Sequence, residues 1–279
     1  MTTGLRIACV NYIHTAGPGV YELKPESTYS KVELSAALAL SPSDSPNFVY
    51  AAGRPLGNVF LYAIKTQNVG SGQVEVHVLD RADYKTFIKQ KPSAIDVADG
   101  PNFDFLVGEY GNLICVKRRD AKSGFVEVHV LIWDNFRDFT VQTPTWIPIS
   151  RADSFSFAVT YEDKLVAIER EGTEEQKVVL HFLSEDYRTV TRRVVTSLDL
   201  ASSRELTFRF EAFPVKGAEG TLVKLNLLGF TRGVTASGHV DIIRLPAPWT
   251  GIPDVFPTPI KNALAPNFQF VVLWPPPIL

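Results

Sequence analysis

The chain carries only two cysteines and a single methionine. Two thiols cannot build the four-cysteine or three-cysteine sites typical of structural zinc. Cys9 and Cys115 fall at one register of two repeated segments, where two other segments place Ala63 and Ala167. That pattern describes small core residues, not a disulfide. Charge of one sign is also scarce. Lysine and arginine number 28 against 30 acidic residues, and no basic run occurs. The electrostatic footprint of phosphate-backbone binding is therefore missing, and no nucleic-acid partner is expected. No apolar stretch approaches the roughly 20 residues that span a bilayer as a helix, so no membrane partner is expected. The opening Met1-Thr2-Thr3-Gly4-Leu5-Arg6 lacks the charged and apolar regions of a signal peptide. No Asn-x-Ser/Thr sequon occurs. His-Glu-x-x-His, the phosphate-binding Gly-x-x-x-x-Gly-Lys-Ser/Thr, the dinucleotide Gly-x-Gly-x-x-Gly and the Gly-x-Ser-x-Gly elbow are all absent. The expectation is a protein that uses no metal and no organic cofactor.

What is present is repetition. Val74-Glu75-Val76-His77-Val78-Leu79 returns as Val126-Glu127-Val128-His129-Val130-Leu131 and again as Val178-Val179-Leu180-His181-Phe182-Leu183, with the histidines 52 residues apart. His239 continues the series, and Tyr21 stands at its start. Apolar and polar residues alternate through each copy, the period of a β-strand. An aromatic pair keeps the same rhythm: Phe48/Tyr50, Phe103/Phe105, Phe155/Phe157, Phe208/Phe210 and Phe268/Phe270. A third segment opens each unit, as in Leu61-Tyr62-Ala63-Ile64-Lys65. Tyr29, Tyr84, Phe136, Tyr187 and Trp249 are expected to start a fourth strand. Four short strands in about 50 residues are the signature of a propeller blade. The reading is an all-β, five-bladed propeller. It forms one domain over 1–279, with blades near 5–57, 58–111, 112–163, 164–220 and 221–279, and with the aromatic pairs between blades.

Function must come from where the repeats differ. The Leu61–Lys65 segment and its counterparts are expected to be innermost and to line the channel with three rings. One ring is aliphatic. One is small: Cys9, Ala63, Cys115, Ala167 and, anomalously, Lys224. One is polar: Asn11, Lys65, Lys117, Glu169 and Asn226. Four histidines at one repeated position read as blade scaffold and not as a metal set. The loops after the aromatic pair differ from blade to blade, and with the turns at Trp133 and Trp249 they should share one rim. Their unlike residues suit a single asymmetric small-molecule pocket. Lys224, Tyr110 and Arg54 are the candidate catalytic groups. Trp133, Tyr161, Trp249, Glu109, Lys65 and Lys117 are the candidate substrate-binding groups.

The stretch from Leu61 through Val74–Leu79 and Tyr84-Lys85-Thr86-Phe87 to Asn102-Phe103-Asp104-Phe105 resembles FG-GAP-type propeller repeats of the Glu-Val-His-Val-Leu variety, found in bacterial and fungal proteins. The resemblance implies a propeller that is a sugar-binding lectin or a module attached to a hydrolase. That family's Asp-rich calcium loop reads Gly108-Glu109-Tyr110-Gly111-Asn112 here, without the run of Asp. A stand-alone, diverged propeller of this size is also similar to the fungal hetero-Diels–Alderases of tropolone-sesquiterpenoid biosynthesis. This second resemblance implies a cofactor-independent cyclase acting on a lipophilic natural-product precursor. Such catalysis needs positioning and polarisation, not a nucleophile. The partner is then a small lipophilic molecule, or a glycan if the protein is a carbohydrate-binding lectin.

Overall fold

The computed structural model describes residues 6–12, 18–23, 29–160, 162–203, 205–217 and 220–273. In chain order the strands are β1 (Arg6–Asn11), β2 (Gly19–Leu23), β3 (Val32–Ala37), β4 (Phe48–Gly53), β5 (Phe60–Lys65), β6 (Gln73–Asp80) and β7 (Phe87–Asp96). They continue with β8 (Phe103–Val107), β9 (Leu113–Lys117), β10 (Phe125–Leu131), β11 (Phe139–Pro148), β12 (Phe155–Val159), β13 (Leu165–Glu169), β14 (Lys177–Leu183) and β15 (Val190–Asp199). The last are β16 (Leu206–Gly217), β17 (Gly220–Thr231), β18 (His239–Pro246), β19 (Asp254–Lys261) and β20 (Phe268–Leu273). They form five antiparallel four-stranded sheets, ordered β20-β1-β2-β3, β4-β5-β6-β7, β8-β9-β10-β11, β12-β13-β14-β15 and β16-β17-β18-β19. The last strand of the chain joins the first sheet, so the ring is closed by β-pairing of the two ends. Strands β20, β4, β8, β12 and β16 touch one another in turn around the axis. The fold is a five-bladed β-propeller.

Both faces of each blade are apolar because each is covered by a neighbour. Leu165–Glu169 is buried at all five positions, which a sheet with one wet face would not allow. Five separate apolar layers result, one per blade–blade junction. Val76, Val78 and Tyr62 of one blade meet Phe103, Phe105 and Cys115 of the next. Val128 and Ile114 meet Phe155, Phe157 and Ala167 in the same way. The aromatic pairs therefore do lie between blades.

Three sequence expectations are corrected. First, the channel-lining strand is the aromatic-pair strand, and the Leu61–Lys65 strand is second. Tyr50 pairs with Ala63 and Ala63 with His77. The small ring is small because it lies between an aromatic and a histidine on the same face, not because it meets the axis. Phe48 and His77 approach edge-to-face at 5.4 Å across it, and Phe103 and His129 repeat the contact at 5.3 Å. Second, blade five is shifted. A register step falls between Gln73 and Glu75, between Phe125 and Glu127, between Lys177 and Val179, and between His239 and Asp241. His239 thus matches Gln73, and Ile243 takes the histidine's place. By the same pairing Gly229 occupies the small position, and Phe208 matches Tyr50. Lys224 lies outside that ring. It is exposed, opposite Phe213, on a hairpin whose strands run 12 residues each where β4 and β5 run six. The extra hairpin length let the histidine and aromatic spacings look regular.

Third, Tyr29, Tyr84, Phe136, Tyr187 and Trp249 do not begin strands. All five have positive φ, between 54° and 70°, in the turn before the outermost strand. A non-glycine residue there is strained. Burial of the ring and a bond back to the preceding strand hold it, as in Tyr84 N–H to the Asp80 carbonyl at 2.8 Å.

Phe155 tests the packing scheme. It is fully buried and packs edge-to-face on Trp146 at 5.7 Å. Phe155→Ala should cost about 3–5 kcal/mol in urea unfolding. A loss under about 1 kcal/mol would contradict the packing described.

Candidate functional site

The loops expected to form a rim do share one end of the ring, but they are mostly occupied with one another. The Arg54 guanidinium and the Glu109 carboxylate form a buried ion pair. The Arg54 amide also donates to the Glu109 carbonyl at 2.7 Å. The Glu109 amide donates to Asp163, whose carboxyl burial pushes above its ordinary pKa. This chain ties blades two, three and four together. Trp133 is half-buried, with the Lys89 ammonium 3.9 Å from its ring centre and donating to its carbonyl at 2.6 Å. Trp249 is core, 2% exposed, against Phe182 and Phe210. Tyr110 is 65% exposed. Tyr161 lies outside the described residues. Lys65 and Lys117 sit at the opposite end, bonded to Asp44 at 2.9 Å and to Asp99 at 2.8 Å. Asn226 donates to buried Glu211 at 2.6 Å, and Thr231 takes its expected ring position. The eight described candidates do not gather at one site.

The opposite end is built differently. Each second strand finishes with a residue whose amide donates to the carbonyl just before an innermost strand. These are Tyr12, Thr66, Arg118, Arg170 and Arg232, with bonds of 2.8 to 2.9 Å to Asn267, Asn47, Asn102, Ser154 and Glu205. The repeated bond sets all five at one level at the mouth of the channel. Below them on the innermost strands comes a ring of Val49, Asp104, Ser156, Thr207 and Gln269. Below that comes Ala51, Leu106, Ala158, Arg209 and Val271. Arg209 is the one charge in that lowest ring. A cavity of about 370 Å³ opens here, lined by Arg118, Arg170, Arg209, Arg232, Asp104 and Gln269 with Phe103, Phe105, Phe157 and Phe208. A narrower apolar well of about 40 Å³ continues along the axis between Ala52, Val107, Val159, Phe210 and Val272, again beside Arg209.

The four guanidiniums are not equivalent. Arg118 is committed to the scaffold. It bonds Asp104 at 3.1 Å, Asp153 at 3.2 Å, and the Ala152 and Phe155 carbonyls at 2.8 and 3.2 Å. Among the described residues Arg209 bonds only the Phe208 carbonyl, at 2.8 Å. Burial first, and Arg232 second, pull its pKa down to about 10, so it remains a cation at neutral pH. Burial and Arg118 also lower Arg170, whose Nε is buried without a partner. Gln269 is held by Tyr50 and by the Tyr12 hydroxyl, which donates to it at 2.7 Å. Burial pushes the Tyr12 hydroxyl up to about 12 despite the nearby arginines. The sequence did carry a signal for this site. In the true register an arginine stands where four blades place Ala, Leu or Val, but the shift of blade five hid it.

A second feature recurs between blades. A cleft of about 500 Å³ is bordered by Asp99, Phe103, Lys117, Glu127, His129 and Phe139. Asp44, Phe48, Lys65, Glu75, His77 and Phe87 occupy the matching positions one blade earlier. His77, His129 and His181 accept or donate to Glu75, Glu127 and Glu169 at 3.3, 3.1 and 2.9 Å. Among the described residues no group of three or more acidic, histidine or cysteine side chains is placed to hold a metal.

Burial lowers the pKa of all three histidines, and their glutamates offset this only in part. A histidine whose folded pKa is depressed binds fewer protons folded than unfolded between the two values. Stability should therefore be full above about pH 6.5 and fall as pH drops below it. Urea unfolding between pH 7.5 and 5 should show this slope, and His129→Phe should reduce it. A flat profile, or one that rises toward pH 5, would show that the three rings are not held neutral.

No protein-family model matches the chain, and no curated protein matches it. Among solved structures it is similar to an exo-β-1,3-galactanase from Clostridium thermocellum. The two are 11% identical over 92% of this chain and 55% of that one, with a TM-score of 0.49. It is also similar to an endo-1,4-β-xylanase from Bacteroides thetaiotaomicron, with 12% identity over 87% of each chain and a TM-score of 0.41. The chain spans about half the length of the galactanase, and at these identities the likeness concerns the propeller fold alone.

Proposed function

We propose that the axial mouth is a single small-molecule site. Its ligand joins an oxygen-rich, negatively polarised head to a lipophilic body, and the protein holds and polarises that ligand for cofactor-independent cyclisation. The observation that carries the reading is Arg209, a guanidinium that forms no ion pair among the described residues, in a ring otherwise made of Ala51, Leu106, Ala158 and Val271. A cation there serves no packing purpose, and an unpaired charge set among apolar groups is costly. Arg209 and Arg170 could both reach an oxyanion or carbonyl developing in the mouth, where exclusion of water strengthens each bond. Phe103, Phe105, Phe157 and Phe208 offer apolar walls that would hold the body of the ligand in one orientation. Two-carboxylate glycoside hydrolysis is poorly served. It needs a pair of acids about 5–10 Å apart, and among the described residues lining the mouth the one acid is Asp104, bonded to Arg118.

One observation favours a second reading, carbohydrate binding by a lectin related to FG-GAP-type repeats. The aromatic, histidine and charged set bordering the inter-blade cleft recurs one blade earlier, and Phe139 at the cleft and its counterpart Phe87 are 40% and 39% exposed. Stoichiometry separates the two. Calorimetric titration with a lipophilic α,β-unsaturated ketone should give about one site per chain. Arg209→Gln should weaken binding roughly tenfold or more, the worth of a hydrogen bond to a charged group. Two or three glycan sites per chain, untouched by Arg209→Gln, would move the function to the clefts. For the chemistry, polyene and quinone-methide precursors would be incubated with the protein. Product ratios identical to those in buffer would end the cyclisation part of the proposal.

A further inference from the structure

We infer that the head group bound in the axial mouth is a dianion of the phosphate-ester class, with its apolar end directed into the well below Arg209. The inference rests on the axial-mouth reading above and narrows it. Charge carries it first. Of the four guanidiniums lining the mouth, Arg118 is neutralised by Asp104 and Asp153. Arg170, Arg209 and Arg232 form no ion pair among the described residues. Arg170 and Arg232 come from the same register of adjacent blades, and Arg209 lies on the strand beside Arg232. Three cations converging on one cavity repel each other. Arg232 weakens the hold of Arg209 on its proton, and Arg118 weakens that of Arg170. One negative charge would leave that repulsion partly unrelieved, and two would nearly balance it.

Shape carries it second. Guanidiniums supply forked donors that fit the several oxygens of a phosphoryl group. Arg170 lines the same cavity and adds a second guanidinium fork to that of Arg209. Arg209 borders both the mouth and the apolar well. A head group bonded to it would leave its substituent at the opening of a space of about 40 Å³. That space holds a few carbons and no polar side chain other than Arg209 itself. A short or flat apolar group on the ester fits it, and a bulky polar one does not.

The test uses the full chain and four probes: phenyl phosphate, inorganic phosphate, benzoate and benzyl alcohol, each titrated calorimetrically. Phenyl phosphate should bind at about one site. Inorganic phosphate should bind more weakly for want of the apolar end, benzoate about tenfold more weakly than phenyl phosphate, and benzyl alcohol not measurably. Phenyl phosphate affinity should rise as pH goes from 5 to 7.5, because the ester's second proton leaves near pH 6. Arg209 changes charge only near 10 and Tyr12 only near 12, so neither produces that rise. Arg209→Gln and Arg232→Gln should each cost tenfold or more, with melting temperature as the check on folding. Arg119→Gln, on an exposed side chain, should cost nothing. Benzoate or the neutral alcohol binding as tightly as phenyl phosphate, with Arg209→Gln still harmful, would overturn the dianion and leave the axial site standing. A pH-independent affinity would do the same. Probes that bind with no effect of either arginine substitution, or that do not bind at all, would overturn both.

Discussion

The propeller depends on one contact repeated in three of its five blades, an aromatic on the innermost strand and a histidine on the third meeting over a small residue on the second. Phe48, Ala63 and His77 make it in one blade, Phe103, Cys115 and His129 in the next. It sets the spacing between strands on one face of each blade, and that face seats against the apolar face of its neighbour. Each blade alone would expose both faces, so five junctions must form together. Joining β20 to β1 closes the ring by backbone pairing.

Blade five shows how much the scheme tolerates. There Leu206, Gly229 and Ile243 replace aromatic, small residue and histidine. The junction still closes, because Phe208 and Phe210 move their bulk along the strand and Trp249 fills the turn. The change alters what faces the axis. The residue between the two phenylalanines falls one ring lower than in other blades, and that residue is Arg209. The departure from the repeat and the charge in the channel are therefore one event. The ring around the rest of the channel is Ala51, Leu106, Ala158 and Val271, so the field at the axis comes from one side.

The two ends of the channel divide labour. At one end, bonds such as Arg54 to Glu109 and Lys89 to the Trp133 carbonyl consume the charges in holding blades together. At the other, a uniform backbone bond presents five side chains over an open mouth, and among the described residues only Arg118 of the three arginines there forms an ion pair. Ionic residues stand at both ends, Arg54 and Glu109 at one, Asp44, Arg118 and Asp153 at the other. Whether their bonding capacity is used is what separates scaffold from candidate site.

The sequence by itself determined the blade number, the all-β class and the interleaving of aromatics between blades. Those follow from local alternation and from repeats of about 52 residues, which need no knowledge of distant contacts. It also marked His77, His129 and His181 as scaffold. Only the tertiary structure decided the order of strands from axis to rim, because alternation looks the same in any strand buried on both faces. Only it decided the register of blade five, where a hairpin of two 12-residue strands absorbed the shift that made His239 and Lys224 look equivalent to residues they do not match. Arg170, Arg209 and Arg232 are far apart in sequence, two of them in turns. What brings them to one mouth is the ring closure and the amide bond that ends each second strand, and neither leaves a trace in residue type.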